Sequence, residues 1–180
     1  MSGPSIYVLG LGNVLMGDDG FGPAVVRAFQ AHYIVDSTTV DVVDLGTPGL
    51  DLAPWLADAE RVILVDTVKA KLPPGTLQRY DKADVLRYLP SVRVGPHDPG
   101  VKEALLALEF AGRAPRELAI IGVVPARTDT ALHLSPEIQA AVPAAIEVVI
   151  EELAKFGAAV ARRATPLRVD PPLTLAPRLR

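Results

Sequence analysis

A chain of 180 residues, 49% hydrophobic and 22% charged, has the composition of a globular domain large enough to bury a full core. With 18 Lys and Arg against 21 Asp and Glu, its net charge of -3 gives no basic footprint for nucleic acid, and the absence of cysteine excludes disulfides, thiolate metal sites and a cysteine nucleophile. The N-terminus lacks a charged region followed by a long apolar one, and no stretch approaches about eighteen uninterrupted apolar residues, so the expectation is no export signal, no membrane insertion and a cytoplasmic location.

A first strand is expected over residues 6–10, short and apolar on both faces as a buried parallel strand is. It runs into a glycine-rich turn, Gly10-Leu11-Gly12-Asn13-Val14-Leu15-Met16-Gly17-Asp18-Asp19-Gly20-Phe21-Gly22. Gly10-x-Gly12 after a first strand suggests a dinucleotide fingerprint, but the third glycine, which lets the helix close on the strand, would fall at Leu15. Two aspartates where a pyrophosphate should lie would also repel it. The plainer reading makes Asp18 and Asp19 helix caps, yet one carboxylate is enough for a cap and the other is left over.

A helix over 22–32 follows, with Pro23 in its first turn and Val25, Val26 and Phe29 on one stripe. A strand over 39–45 ends in Asp44-Leu45-Gly46-Thr47-Pro48-Gly49, and helical spacing over 50–57 carries Trp55, assigned to the core. Residues 61–66, Arg-Val-Ile-Leu-Val-Asp, form the clearest strand of the chain. Each early strand therefore delivers acid at its C-terminal end: Asp18 and Asp19, then Asp44, then Asp66. Beyond it a loop over 69–75 leads to an edge strand over 75–80 and a short helix over 84–89. The proline-punctuated segment 90–99 holds His97 within Gly95-Pro96-His97-Asp98-Pro99-Gly100. A helix over 101–111, a last strand over 117–124 and a long helix from Ser135-Pro136-Glu137 to about residue 157 complete the pattern, with a kink or break expected at Pro143.

Strands alternating with helices imply an α/β fold, a three-layer α/β/α sandwich around a twisted, mostly parallel sheet of about five strands. One domain spans residues 1–160, and 161–180, rich in proline and arginine and without helical or strand period, reads as a mobile tail. Ligands of such folds bind beyond the carboxyl ends of the strands. There Asp19, Asp66 and His97 suffice for three protein ligands on a divalent ion, with positions left open. The bland alternative pairs His97 with its neighbour Asp98 and leaves the aspartates as caps; His32 and His133 are more ordinary still.

The order and spacing of Gly10-x-Gly12-Asn13-x-Leu15-x-x-Asp18-Asp19-Gly20-x-Gly22, Asp44-x-Gly46-Thr47-x-Gly49, Val65-Asp66 and Pro96-His97-Asp98 resemble the hydrogenase maturation endopeptidases. The likeness runs from about residue 5 to 157 and includes Gly122-Val123-Val124-Pro125 and Ser135-Pro136. Members of that family remove a C-terminal extension from the large-subunit precursor of nickel-iron hydrogenase after nickel insertion. The resemblance implies Asp19, Asp66 and His97 as ligands to nickel supplied by the precursor, with no tightly bound organic cofactor. It leaves hydrolysis either to that nickel, as Lewis acid on the scissile carbonyl or through a bound hydroxide, or to Asp44 or Asp66 as general base, and it gives Asp44, Gly46 and Thr47 a part in substrate recognition or cleavage. Many relatives carry Glu where this chain has the shorter Asp19, and the family's Asp-Gly-Gly-Thr loop reads Asp44-Leu45-Gly46-Thr47 here. Two other readings are a self-sufficient zinc or manganese metallohydrolase and a non-catalytic chaperone of the nickel-loaded precursor.

Overall fold

The computed structural model describes residues 4–88 and 100–168. Its centre is a five-stranded sheet built from β1 (Ile6–Leu11), β3 (Val40–Gly46), β4 (Arg61–Thr67), β5 (Leu77–Asp81) and β6 (Glu117–Val123). The strands lie in the order β3-β1-β4-β6-β5. All neighbours pair in parallel except β5, which runs antiparallel to β6 at the edge expected for it.

Alternation along β4 shows how the sheet acquires two dry faces. Ile63 and Val65 join the core formed with α1 (Phe21–His32) and α5 (Pro136–Lys155). Val62 and Leu64 join the core formed with α2 (Leu52–Leu56), α3 (Lys82–Tyr88) and α4 (Val101–Phe110). A strand buried on both faces needs apolar residues at every position, hence the continuous run in β4. The stripe Val25, Val26 and Phe29 is fully covered, while Trp55 is only partly buried and stands edge-on to Tyr7 at 5.9 Å.

Three local expectations change. The helix runs without a break through Pro143, which stands exposed on its surface. The link after α1 holds a strand, β2 (Tyr33–Val35), which pairs antiparallel with β7 (Val160–Arg162). Arg163 N–H then donates to His32 O and Leu167 N–H to Ala31 O, carrying the ordered backbone past residue 160, where sequence placed the end of the domain. Three-residue strands have no period of their own and exist only through each other. Residues 169–180 lie outside the described residues. Among those described, no helix is long and apolar enough to cross a membrane.

One ion pair fastens the edge strand to the long helix. Glu152 on α5 is 1% exposed and takes both arms of Arg79 on β5, at 2.7 and 3.0 Å, with Lys155 Nζ at 2.6 Å. Burial pushes this carboxyl up, but the hydrogen bonds from Arg79 and Lys155 outweigh it and hold it below its ordinary value. Arg79→Met leaves a buried carboxylate with one solvent-exposed partner. Urea unfolding at pH 7 is expected to show a loss of about 2 kcal/mol, less than a wholly buried pair would lose because Arg79 is itself part-exposed. An unchanged midpoint would show that Lys155 alone satisfies the site.

Candidate functional site

The chain leaves β1 and β4 in opposite directions, through Gly12–Gly20 to α1 on one face and through Val68 into the core of the other. Adjacent parallel strands whose connections diverge leave a crevice at their carboxyl ends, and functional side chains gather there. Gly12 permits the first loop to fold back: its φ is +132°, and a Cβ would lie 1.8 Å from Asp19 O. Gly46 belongs to the same rim, where its carbonyl oxygen accepts the Gly12 N–H at 2.8 Å.

Neither aspartate of the first loop caps α1. Its N-cap is Gly20, with no side-chain cap, and Asp18 and Asp19 lie on one 3-10 turn, Gly17–Gly20, that sends them apart. Asp18 is fully buried and accepts the amides of Ala126 and Arg127, each at 2.8 Å, with the Ser135 amide at 2.6 Å and hydroxyl at 3.1 Å. Ser135 does sit at the N-cap of α5, but its hydroxyl serves Asp18 rather than the helix.

Asp19, partly exposed, turns the other way. Its Oδ2 accepts the Asn13 amide at 2.8 Å and its Oδ1 the Thr67 hydroxyl at 3.3 Å. Thr67 also donates its amide to Asp66 Oδ1 at 2.6 Å, so a single residue holds both carboxylates. Asp66 is 1% exposed, and its Oδ2 is buried with no hydrogen-bond partner among the described residues. Burial pushes the Asp66 carboxyl well above the usual carboxylate range; the Thr67 amide opposes this, and the neighbouring Asp19 charge adds to it. A buried acceptor left empty beside a second carboxylate favours a proton or a cation at that point.

Asp44 belongs to the opposite face. It aligns with Gly10, whose face meets α1, and Arg27 of α1 grips its Oδ2 through Nε at 2.9 Å and the terminal nitrogen at 2.8 Å. Its Oδ1 accepts the Gly46 amide at 3.1 Å. The register of β1 against β3 jumps from Gly10–Asp44 to Leu11–Gly46, leaving Leu45 as a bulge, and Thr47 is exposed just beyond it. Asp19 and Asp66 are therefore brought together, Asp44 is held apart by Arg27, and Gly46 and Thr47 form the rim beside it. His97 lies outside the described residues. Among those described, no three His, Cys, Asp or Glu side chains converge on one point.

Sequence reasoning quoted Asn13 only as part of a motif and passed over Thr67 and Arg27. Thr67 had a signal, a hydroxyl directly after the strand-end Asp66; Arg27, on the polar side of α1, had none. A cleft of about 370 Å³ is lined by Val68, Lys69, Ala70, Lys71, Val124 and Pro125, the residues that follow β4 and β6.

The profile of the HycI hydrogenase maturation protease family matches residues 23–152. The chain is 38% identical over 172 residues to the hydrogenase expression/formation protein HupD of Thiocapsa roseopersicina, covering 95% of this chain and 77% of that one. It is 32% identical over 153 residues to the hydrogenase 2 maturation protease of Escherichia coli K12, covering 84% and 92%. The structure of the hydrogenase maturating endopeptidase HybD from Escherichia coli superposes with a TM-score of 0.81 at 32% identity, over 88% of this chain and 98% of that one. A matched profile across most of the chain, together with a relative 32% identical over most of its length and a superposing endopeptidase structure, makes this chain a member of the hydrogenase maturation protease family.

Proposed function

We propose that this protease cleaves the C-terminal extension from a nickel-iron hydrogenase large-subunit precursor, and that it recognises nickel already bound in that substrate. The observation carrying the reading is the buried Asp66 Oδ2, which has no partner among the described residues, next to Asp19 at the mouth of the crevice. Two carboxylates suit a divalent ion, and an enzyme that completes a substrate's coordination sphere needs fewer protein ligands than one that owns its metal. Asp19 and Asp66 supply two ligands and His97 the third.

Nickel held in this way offers Lewis acidity toward the scissile carbonyl. Of the two carboxylates considered for activating water, Asp66 is the one with an oxygen that no described residue occupies, since Arg27 and the Gly46 amide hold Asp44. Asp44 instead shapes the bulge that presents Gly46 and Thr47 to the substrate. The cleft at Val68–Lys71 and Val124–Pro125, which begins one residue after Thr67 in the chain, is the place we assign to an extended peptide.

Purified precursor, nickel-loaded and nickel-free, is incubated with the enzyme and weighed by intact-mass spectrometry. Loss of a C-terminal peptide from the loaded form alone is expected, with His97→Ala abolishing it. A loaded precursor that binds without being shortened would turn the assignment to a chaperone. Shortening that ignores nickel would remove the metal from the recognition.

A further inference from the structure

The reaction proposed above leaves Asp18 without a part, yet among the described residues no charged side chain is more enclosed. Burying a carboxylate is costly unless its lone pairs are matched, and here they are: Oδ1 takes the Ser135 amide, and Oδ2 takes the Ala126 and Arg127 amides and the Ser135 hydroxyl. The backbone repeats the link. Asp18 N–H donates to Arg127 O, Gly17 N–H to Ala131 O and Ala131 N–H to Leu15 O. The first loop and the segment between β6 and α5 therefore order each other, although more than a hundred residues separate them along the chain.

The shape of the turn converts this anchorage into aim. In a 3-10 turn successive side chains point about 120° apart. With Asp18 driven into the 126–135 segment, Asp19 must leave on another side, where the Asn13 amide and the Thr67 hydroxyl receive it. Asn13 and Thr67 each give Asp19 one hydrogen bond, and the Thr67 bond is long at 3.3 Å. They trim the direction of Asp19 but are too few to set the position of the turn itself.

We infer that Asp18 is the positioning residue of this site: its buried carboxylate locks the first loop onto the start of α5 and so fixes the direction of Asp19. The inference rests on the reading of Asp19 as a group that acts on the substrate's nickel, but the lock itself can be observed without any substrate. A residue that merely adds stability would lower the melting temperature of its variant and leave the turnover of the folded protein unchanged. A positioning residue lowers kcat while substrate binding through the rest of the surface, and hence KM, is kept.

The test uses the full chain as Asp18→Asn, which keeps the shape but sets an amide N–H₂ among donors. Precursor cleavage is followed well below the variant's melting temperature, and amide hydrogen exchange is followed by NMR on the wild type and the variant. The expected result is a fall in kcat of about tenfold or more with KM within about threefold. In the wild type the Asn13 and Ser135 amides should share one protection factor, and in the variant both should drop together. A folded variant with wild-type kcat would overturn the inference. So would a wild-type Asn13 amide exchanging tenfold more freely than Ser135, which decides the matter even if the variant fails to fold. If the wild type does not cleave the precursor, the proposed function falls, and the shared protection of Asn13 and Ser135 still judges the lock.

Discussion

Asp66→Asn is expected to reduce precursor cleavage by about a thousandfold or more and, at neutral pH, to raise the melting temperature. Both effects come from the same atom. Asparagine keeps the oxygen that accepts the Thr67 amide but removes the charge and the Oδ2 that the reaction is proposed to use. Losing a ligand to a Lewis acid takes away several kcal/mol of transition-state stabilisation, and each 1.4 kcal/mol or so is a factor of ten. The gain in stability follows from linkage. The folded-state pKa of Asp66 is raised, so the folded protein prefers the protonated carboxyl, and its stability is fully present below the unfolded value near about pH 4. As pH rises past that value the unfolded chain releases its proton first, and the wild type loses stability until the folded pKa is reached. The asparagine variant has no proton to lose. Its advantage should be absent below about pH 4, grow through the acid range and level off above the folded pKa. Each unit between the two pKa values is worth about 1.4 kcal/mol, or roughly 3 to 6 °C for a chain of this size. Melting curves of both proteins from pH 3 to pH 8 measure it; parallel curves would mean that Asp66 is an ordinary carboxylate, and full cleavage by the variant would remove it from the site.

How legible the protein was depends on how local each feature is. Strand β4 announces itself because a strand buried on both faces must be apolar at every position, and α1 because Val25, Val26 and Phe29 recur at helical spacing. The edge position of β5 was visible in its mixed character. Asp19 and Asp66 were legible as a pair because both stand at the ends of strands that a parallel sheet aligns. The pairing of β2 with β7 was not, since it joins Tyr33 to Arg162 and neither segment is long enough to carry a pattern. The partners of Asp18 and Asp44 were not legible for the same physical reason. A carboxylate's role depends on which donors fold against it, and the Ser135 amide and the Arg27 guanidinium come from elsewhere in the fold. Adjacent aspartates in a sequence look equivalent; one turn of 3-10 helix makes one an anchor and the other a candidate ligand.

Gly22→Ala is expected to leave little folded protein. The residue is helical, so the reason is space rather than backbone freedom. A Cβ there would lie 2.2 Å from Leu11 O, 2.3 Å from Val65 O and 2.6 Å from Leu11 N, all backbone atoms of the two central strands. Side-chain ends can swing away from such a clash, but sheet backbone cannot without breaking its ladder. Gly10 faces the same contact, with a Cβ 2.6 Å from Gly22 O, so helix and strand touch main chain to main chain. The strain should exceed about 4 kcal/mol, a large part of the roughly 5 to 15 kcal/mol that holds a domain together. Gly46→Ala is the control: it meets nothing within 4 Å and should lose only the roughly 1 to 2 kcal/mol of a left-handed residue, its φ being +57°. Soluble yield and urea midpoints of the two variants give the comparison, and a Gly22→Ala protein as stable as Gly46→Ala would refute the close approach. The contact also explains why the dinucleotide fingerprint fails here. That motif brings its helix onto the strand with a glycine at the position of Leu15 and leaves a short turn whose amides face a pyrophosphate. This chain makes the same approach only at Gly22, and the longer loop between carries Asp18 and Asp19 on a turn of its own. Moving one glycine along the chain turns a cradle for anions into a mount for carboxylates.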